Sequence, residues 1–211
     1  MKTIIPLISK LKKRIYIIYN RIRFNIRGIK YGKNFRVYNY LYLNIKSDTK
    51  ITIGDNFTFT SGGGYNPLCR NIKGYIYAAD NAEIIIGNNT GISSSCIWAN
   101  NKISIGNNVL IGGDTIIMDT DAHNLDYKIR ASGKKNKKGQ FIDNITANNK
   151  PIVIEDDVLI GTRCIILKGT KIGARSIIGS GSIVTKSIPA NCIAAGNPCK
   201  VIKYINTDDK D

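Results

Sequence analysis

The chain holds one histidine and one tryptophan in 211 residues, and 15 acidic side chains against 31 basic ones, a formal charge of +16. Each scarcity excludes something. A lone imidazole with no cysteine cluster cannot fill a zinc site, so no metal is expected. The cysteines (Cys69, Cys96, Cys164, Cys192 and Cys199) are odd in number and widely spaced, with no C-x-x-C pair. That pattern argues against a disulfide framework and for free thiols in a reducing compartment. No uninterrupted apolar run approaches membrane-spanning length. The start MKTIIPLISKLKKRIYIIY is not expected to act as a secretory signal, because Pro6 and the cations from Lys10 to Arg14 interrupt it and no small-residue cleavage site follows. A cytoplasmic location is expected. The excess cations gather in the first thirty residues and from Lys128 to Lys138, with no nucleic-acid motif beside them, so no nucleic-acid partner is expected.

What the chain has in quantity is isoleucine, glycine and asparagine, arranged with a period. From residue 152 it reads IVIEDD, VLIGTR, CIILKG, TKIGAR, SIIGSG, SIVTKS, with Ile154, Ile160, Ile166, Ile172, Ile178 and Val184 in the third place of each unit. Two places earlier stand Val158, Cys164, Thr170, Ser176 and Ser182, all small or β-branched. The register recurs upstream at Ile53, Phe59, Ile86, Ile92, Ile105, Ile111 and Ile117, with a one-residue slip near Asn100 and interruptions near 60–80 and 118–150. A six-residue period fits neither a helix nor a plainly alternating strand. It fits a short strand followed by a corner: the anchor points inward, a small residue fills the bend, and Gly or Asn takes the strained backbone. Three units then close one three-sided coil, and stacked coils share an aliphatic core as solenoids do.

Residues 1–30 differ. Ile4, Leu7, Ile8, Leu11, Ile15, Ile18 and Ile22 recur at helical spacing, with Lys10, Lys12, Lys13, Arg14, Arg21 and Arg23 largely elsewhere. One or two basic amphipathic helices are expected, either capping the open end of the first coil or lying on an anionic bilayer surface. The two roles are compatible.

The hexapeptide runs, the loop DTDAH and the ending GSGSIVTKSIPANCIAAGNPCKVIK together resemble the left-handed parallel β-helix (hexapeptide-repeat) acyltransferases, nearest to the maltose/galactoside-type and polysaccharide O-acetyltransferases. The resemblance covers roughly residues 50–205. It implies an all-β, left-handed parallel β-helix over 31–205, carrying the long inserted loop 118–150, with a basic helical segment at 1–30 and a polar tail at 206–211. It also implies a homotrimer with active sites between neighbouring copies and acetyl-CoA as donor. The expected acceptor is a saccharide hydroxyl or lipid-linked glycan, in bacterial surface-polysaccharide (capsule or O-antigen) synthesis. N-acetylation of an amino sugar, acetylation of an antibiotic, and a non-catalytic β-helix scaffold stay open as alternatives.

The resemblance assigns roles residue by residue. His123 matches the catalytic histidine, and a neutral imidazole suits removal of a hydroxyl proton near neutral pH. Asp119, Asp121 and Asp126 are candidates to orient it, with contact to the acceptor sugar or simple solvation of the loop as alternatives. Thr162 matches the position whose backbone N–H faces the thioester oxygen. Ser180 matches the pantetheine path, Thr185 and Lys186 the pyrophosphate and adenine end, and Lys203 the 3′-phosphate, with a solvated basic surface as the alternative for the two lysines. Two departures stand out: Leu159 replaces an aromatic frequent in sugar-acetylating relatives, and their acceptor-side asparagine has no clear match. Trp98 and Asn100 are weaker acceptor candidates, with Trp98 alternatively a core anchor. The insertion reads equally as a lid over the acceptor or as a solvated excursion.

Overall fold

The computed structural model describes residues 4–205, with side chains from residue 9; the polar tail 206–211 lies outside the described residues. Among the described residues, twenty short strands form three sheets of six, eight and six. Successive strands fall on successive sheets, and every strand pairs in parallel with those one coil away. The exception is the C-terminal hairpin, where Lys200–Tyr204 runs antiparallel to Cys192–Ala195 on the second sheet. The period anticipates the three-sided parallel coil; the closing hairpin is an addition to it.

The anchors sit where the period puts them. Ile154, Ile160, Ile166, Ile172, Ile178 and Val184 are buried, and so are Val158, Cys164, Thr170, Ser176 and Ser182 at the corners. Toward the N-terminal end the column changes to aromatic: Phe24, Phe35, Phe57 and Phe59 are fully buried, with the rings of Phe35 and Phe57 stacked 5.6 Å apart. Near Asn100 the slip has a clear outcome. Ile97, not Trp98, pairs with Ile117 and enters the core, so Trp98 faces outward.

The corners explain the asparagines. Asn34, Asn56, Asn89, Asn108 and Asp157 all have positive φ, between 54° and 60°, a region that Asn and Asp enter more cheaply than most residues. Their side chains form a ladder across coils, Asn34 to Asn56 at 2.9 Å, Asn56 to Asn89 at 2.8 Å, Asn89 to Asn108 at 2.9 Å and Asn108 to Asp157 at 2.8 Å.

A single helix, α1 (Ile4–Ile26), precedes the coil. It closes the open end with polar donors as well as with Phe24. The buried Asn20 amide donates to the carbonyls of Val37 and Asn39 at 3.1 and 2.8 Å, and Arg21 and Arg23 donate to Phe35 and Leu41 at 3.1 and 2.7 Å. These carbonyls lie at the exposed end of the stack, where no further coil can pair with them. The insertion is also structured. It contains α2 (Tyr127–Ala131) and α3 (Ile142–Ile145), and is pinched at its base by a bridge between Thr120 and Asn149.

If the inward anchors hold the coils together, Ile166→Ala lowers unfolding stability by about 2–5 kcal/mol, the usual range for such a truncation. Chemical denaturation followed by circular dichroism measures this; a change below about 0.5 kcal/mol, as for a surface site, would contradict it.

Candidate active site

His123 stands where the coil breaks off. The strand Ile116–Met118 ends, Asp119 and Thr120 are buried, and Ala122 takes φ +61° immediately before the histidine. Such a conformation is uncommon for alanine and stores strain. The imidazole is 60% exposed, and its Nδ1 lies 2.5 Å from Oδ2 of Asp143, itself only 15% exposed. Asp143 sits in the first turn of α3, and its Oδ1 accepts the backbone N–H of Asn124 at 2.8 Å. Asn144 donates to the carbonyl of Ala122 at 2.9 Å, tying the same helix to the histidine loop.

These contacts decide the tautomer. A carboxylate can only accept, so Nδ1 carries the proton and the neutral ring leaves Nε2 as a free acceptor. The bond to His123, then that from Asn124, holds the Asp143 carboxyl below the usual carboxylate range. It therefore stays anionic throughout the neutral range.

The aspartates expected to orient the imidazole are engaged elsewhere, which corrects that expectation. Asp119 is buried and accepts the backbone N–H groups of Asn100 and Asn101 at 2.7 and 2.8 Å. Burial pushes its carboxyl up, while those N–H bonds oppose the shift. Asp121 pairs with Lys168 at 2.8 Å, and Asp126 caps α2 through the N–H of Lys128 at 2.8 Å. Asp143 was not singled out in the sequence. It lies twenty residues beyond His123 in a polar stretch, and no local pattern marks it.

Thr162 and Ser180 do meet. They occupy equivalent corners of adjacent coils, and the Thr162 N–H donates to Ser180 Oγ at 3.2 Å, the long end of the normal range. Gly161 permits the approach, since a Cβ there would lie 2.5 Å from the Ser180 nitrogen. Both residues line a groove of about 380 Å³ along the second sheet, together with Leu159, Leu110 and Gly112. Thr185 and Lys186 are exposed beyond the strand Ile183–Val184 on the third sheet, and Lys203 is exposed on the terminal hairpin.

His123 lines a different hollow, of about 290 Å³, with Arg130, Phe141 and Asp143. The two hollows share no lining residue. Thr162 precedes the third-sheet strand Ile165–Leu167, whereas His123 follows Ile116–Met118 of that sheet. At about 3.3 Å per residue, the three-residue strand alone separates the two corners by about 10 Å.

Trp98 and Asn100 lie on the His123 side. The indole N–H donates to Asn100 Oδ1 at 2.9 Å, the Asn100 amide reaches Thr120 at 3.3 Å, and the indole meets the Tyr77 ring edge-on at 5.3 Å. Burial, then Asp80 and Tyr75, raises the Tyr77 phenol above its usual value. Among the described residues no group of three or more His, Cys, Asp or Glu side chains converges on a metal position.

Comparison with known proteins agrees with the repeat pattern. Residues 151–186 match the family described as bacterial transferase hexapeptide (six repeats). The galactoside O-acetyltransferase of Escherichia coli (strain K12) is 39% identical over 108 residues, which are 51% of this chain and 47% of that one. The chain thus spans about half the length of that relative. The crystal structure of a maltose O-acetyltransferase from Clostridium difficile 630 is similar at 26% identity and TM-score 0.51, over 93% of this chain and 84% of that one. A galactoside acetyltransferase in complex with coenzyme A is similar at 25% identity and TM-score 0.50, over 83% and 65% of the two chains. These relatives are acetyltransferases, and the hexapeptide family match covers the repeats at 151–186.

The contact between His123 and Asp143 has a direct spectroscopic consequence. Carbon-detected NMR titration is expected to show Asp143 ionising below an ordinary aspartate, and His123→Ala to move its midpoint upward. An unchanged midpoint in that variant would remove the contact from consideration.

Proposed function

We propose that this hexapeptide-repeat chain is an acetyl-CoA-dependent O-acetyltransferase acting on a saccharide hydroxyl, folded as the left-handed coil of its relatives. The observation that carries the reading is the His123–Asp143 pair, which leaves Nε2 free beside a hollow. In the reaction, the acceptor oxygen attacks the thioester carbonyl carbon while Nε2 takes the hydroxyl proton. The carbonyl oxygen becomes an oxyanion facing the Thr162 N–H, which exchanges its long bond to Ser180 for the stronger charge-assisted one. Collapse breaks the carbon–sulfur bond, and the leaving thiolate recovers the proton from the imidazolium. Ser180 lies along the pantetheine, while Thr185, Lys186 and Lys203 face the phosphates and adenine of coenzyme A.

Base and oxyanion donor must both lie within hydrogen-bond reach of the reacting atoms. A separation of about 10 Å within one chain therefore supports sites shared between copies, as in the homotrimer that the resemblance implies, with the His123 corner of one copy facing the Thr162 groove of the next. His123→Ala is expected to reduce acetyl transfer by about 10²–10⁴-fold, read as thiol release from acetyl-CoA across a panel of sugars. Activity kept in that variant would remove His123 as the base, and absence of coenzyme A binding would favour a non-catalytic scaffold. The same assay checks the assembly: inactive His123→Ala mixed with inactive Ser180→Trp regains activity when sites are shared between copies, and stays inactive when they are not.

The helix α1 adds a location. Leu11, Ile15, Ile18, Ile22 and Ile26 are between 53% and 76% exposed, and no acid lies in its first turn. With Lys10, Lys12, Lys13 and Arg14 nearby, this stripe suits an anionic bilayer surface at the inner face of the membrane. No described helix is long and apolar enough to cross a membrane. A membrane-surface site and a saccharide acceptor together support action on lipid-linked glycans in surface-polysaccharide synthesis. Because Asn20 and Phe24 seat the helix on the coil, the test is substitution rather than deletion. Co-sedimentation with phosphatidylserine vesicles is expected for the native chain and lost in Ile15→Glu/Ile18→Glu; equal sedimentation of both would refute the contact.

A further inference from the structure

We infer that the acceptor is a saccharide chain rather than a single sugar, held on a path that runs from His123 across the outer surface of the third sheet. This rests on the acetyltransferase reading above and extends its acceptor side. The path is built from three hollows, each sharing one lining residue with the next. The His123 hollow shares Asn144 with a polar hollow of about 340 Å³, and that hollow shares Tyr77 with an aromatic one of about 360 Å³. Each lies near the lower end of the volume range of small-molecule sites, roughly 300–1,000 Å³, so together they exceed what one ring needs.

The chemistry changes along the path in the way a glycan requires. Beside the histidine, the polar section is lined by the amides of Asn100, Gln140 and Asn149 and the carboxylate of Asp80. Asn100 already bonds Trp98 and Thr120, and Gln140 bonds Asn136 and Asp80, but each amide keeps a second N–H and a second lone pair that suit hydroxyl groups. Farther on, Tyr77 and Trp98 stand side by side as cross-strand neighbours, their rings 5.3 Å apart and inclined at 63°. On the same strand as Tyr77, Tyr75 stacks on Tyr42 of the preceding coil at 5.6 Å and 19°. Aromatic side chains flanked by hydrogen-bonding groups suit the apolar C–H surfaces of successive sugar rings.

The coil itself makes these rows. Residues flanking each inward anchor face outward, so Tyr42, Tyr75 and Cys96 align in one row and Asn44, Tyr77 and Trp98 in another. The aromatics occupy only the early coils. In the later coils the same rows continue as Ile116 and Ile165, and as Met118 and Leu167. A generic apolar face does not require that change, whereas a binding strip ending at the His123 loop does.

The chain carries its own reporter, because Trp98 is the sole tryptophan. The test titrates the full-length protein with maltose against maltohexaose, and with digalacturonate against hexagalacturonate, following Trp98 emission and thiol release from acetyl-CoA in parallel. In at least one series the hexamer is expected to shift the emission, and its kcat/KM to exceed that of its dimer by about tenfold, the scale of one added stacking contact. Tyr77→Ala, and independently Tyr75→Ser, is expected to abolish the hexamer's advantage. Dimers acetylated as well as hexamers in both series, with Trp98 emission unmoved, would overturn the chain-binding path and leave the acetyltransferase standing. A protein that binds coenzyme A and acetylates none of these sugars would overturn the saccharide reading and this inference with it.

Discussion

Everything in this molecule hangs on the inward anchor of each strand. A coil of three short strands has almost no stability of its own, since two or three residues per strand bury too little to offset the order they impose. Stability comes from columns: Ile86 over Ile105 over Ile154 over Ile172 on one face, Ile97 over Ile117 over Ile166 over Val184 on another. Parallel pairing keeps those columns in register, and the asparagine ladder fixes the corners that turn one face into the next. The two ends need separate treatment, and the chain closes them differently. The first has a helix whose Asn20 and Arg23 supply the donors that a further coil would have supplied, and the last has an antiparallel hairpin.

That rigidity is what makes the site chemically useful. Thr162 and Ser180 are held opposite each other because successive coils must stack, and a glycine at 161 lets the two backbones close in. His123 arises by the opposite device. The lattice stops after Met118, the insertion leaves, and its return through α3 brings Asp143 under the imidazole. One partner of the proposed chemistry comes from regularity and the other from its interruption. Their separation across the third face is the physical reason that a shared site between copies is the economical reading.

Legibility follows the range of the interactions. The buried anchors could be read because each belongs to a six-residue unit, so the pattern is local and repeats. Trp98 marks the limit of that method: where one coil departs from the six-residue spacing, strict counting assigns the anchor to the indole, while the structure assigns it to Ile97. The three acidic residues near His123 in sequence were the natural candidates to orient it, yet each meets a different demand. Asp119 satisfies two backbone donors, Asp121 a lysine, and Asp126 a helix start. On α1 the amphipathic spacing was plain, but not which residues seat the helix and which stay exposed, because that depends on how it lies across the first coil.

The sequence by itself determined the repeating coil, the break at residue 118 and the presence of one imidazole beside it, since periodicity and composition are properties of neighbours along the chain. Only the tertiary structure decided which carboxylate meets that imidazole, that Trp98 faces outward toward Tyr77, and that His123 and Thr162 occupy different corners. Those outcomes depend on where a long insertion returns and how far one coil departs from its six-residue spacing. Both are set by packing between segments distant in sequence, which no local pattern records.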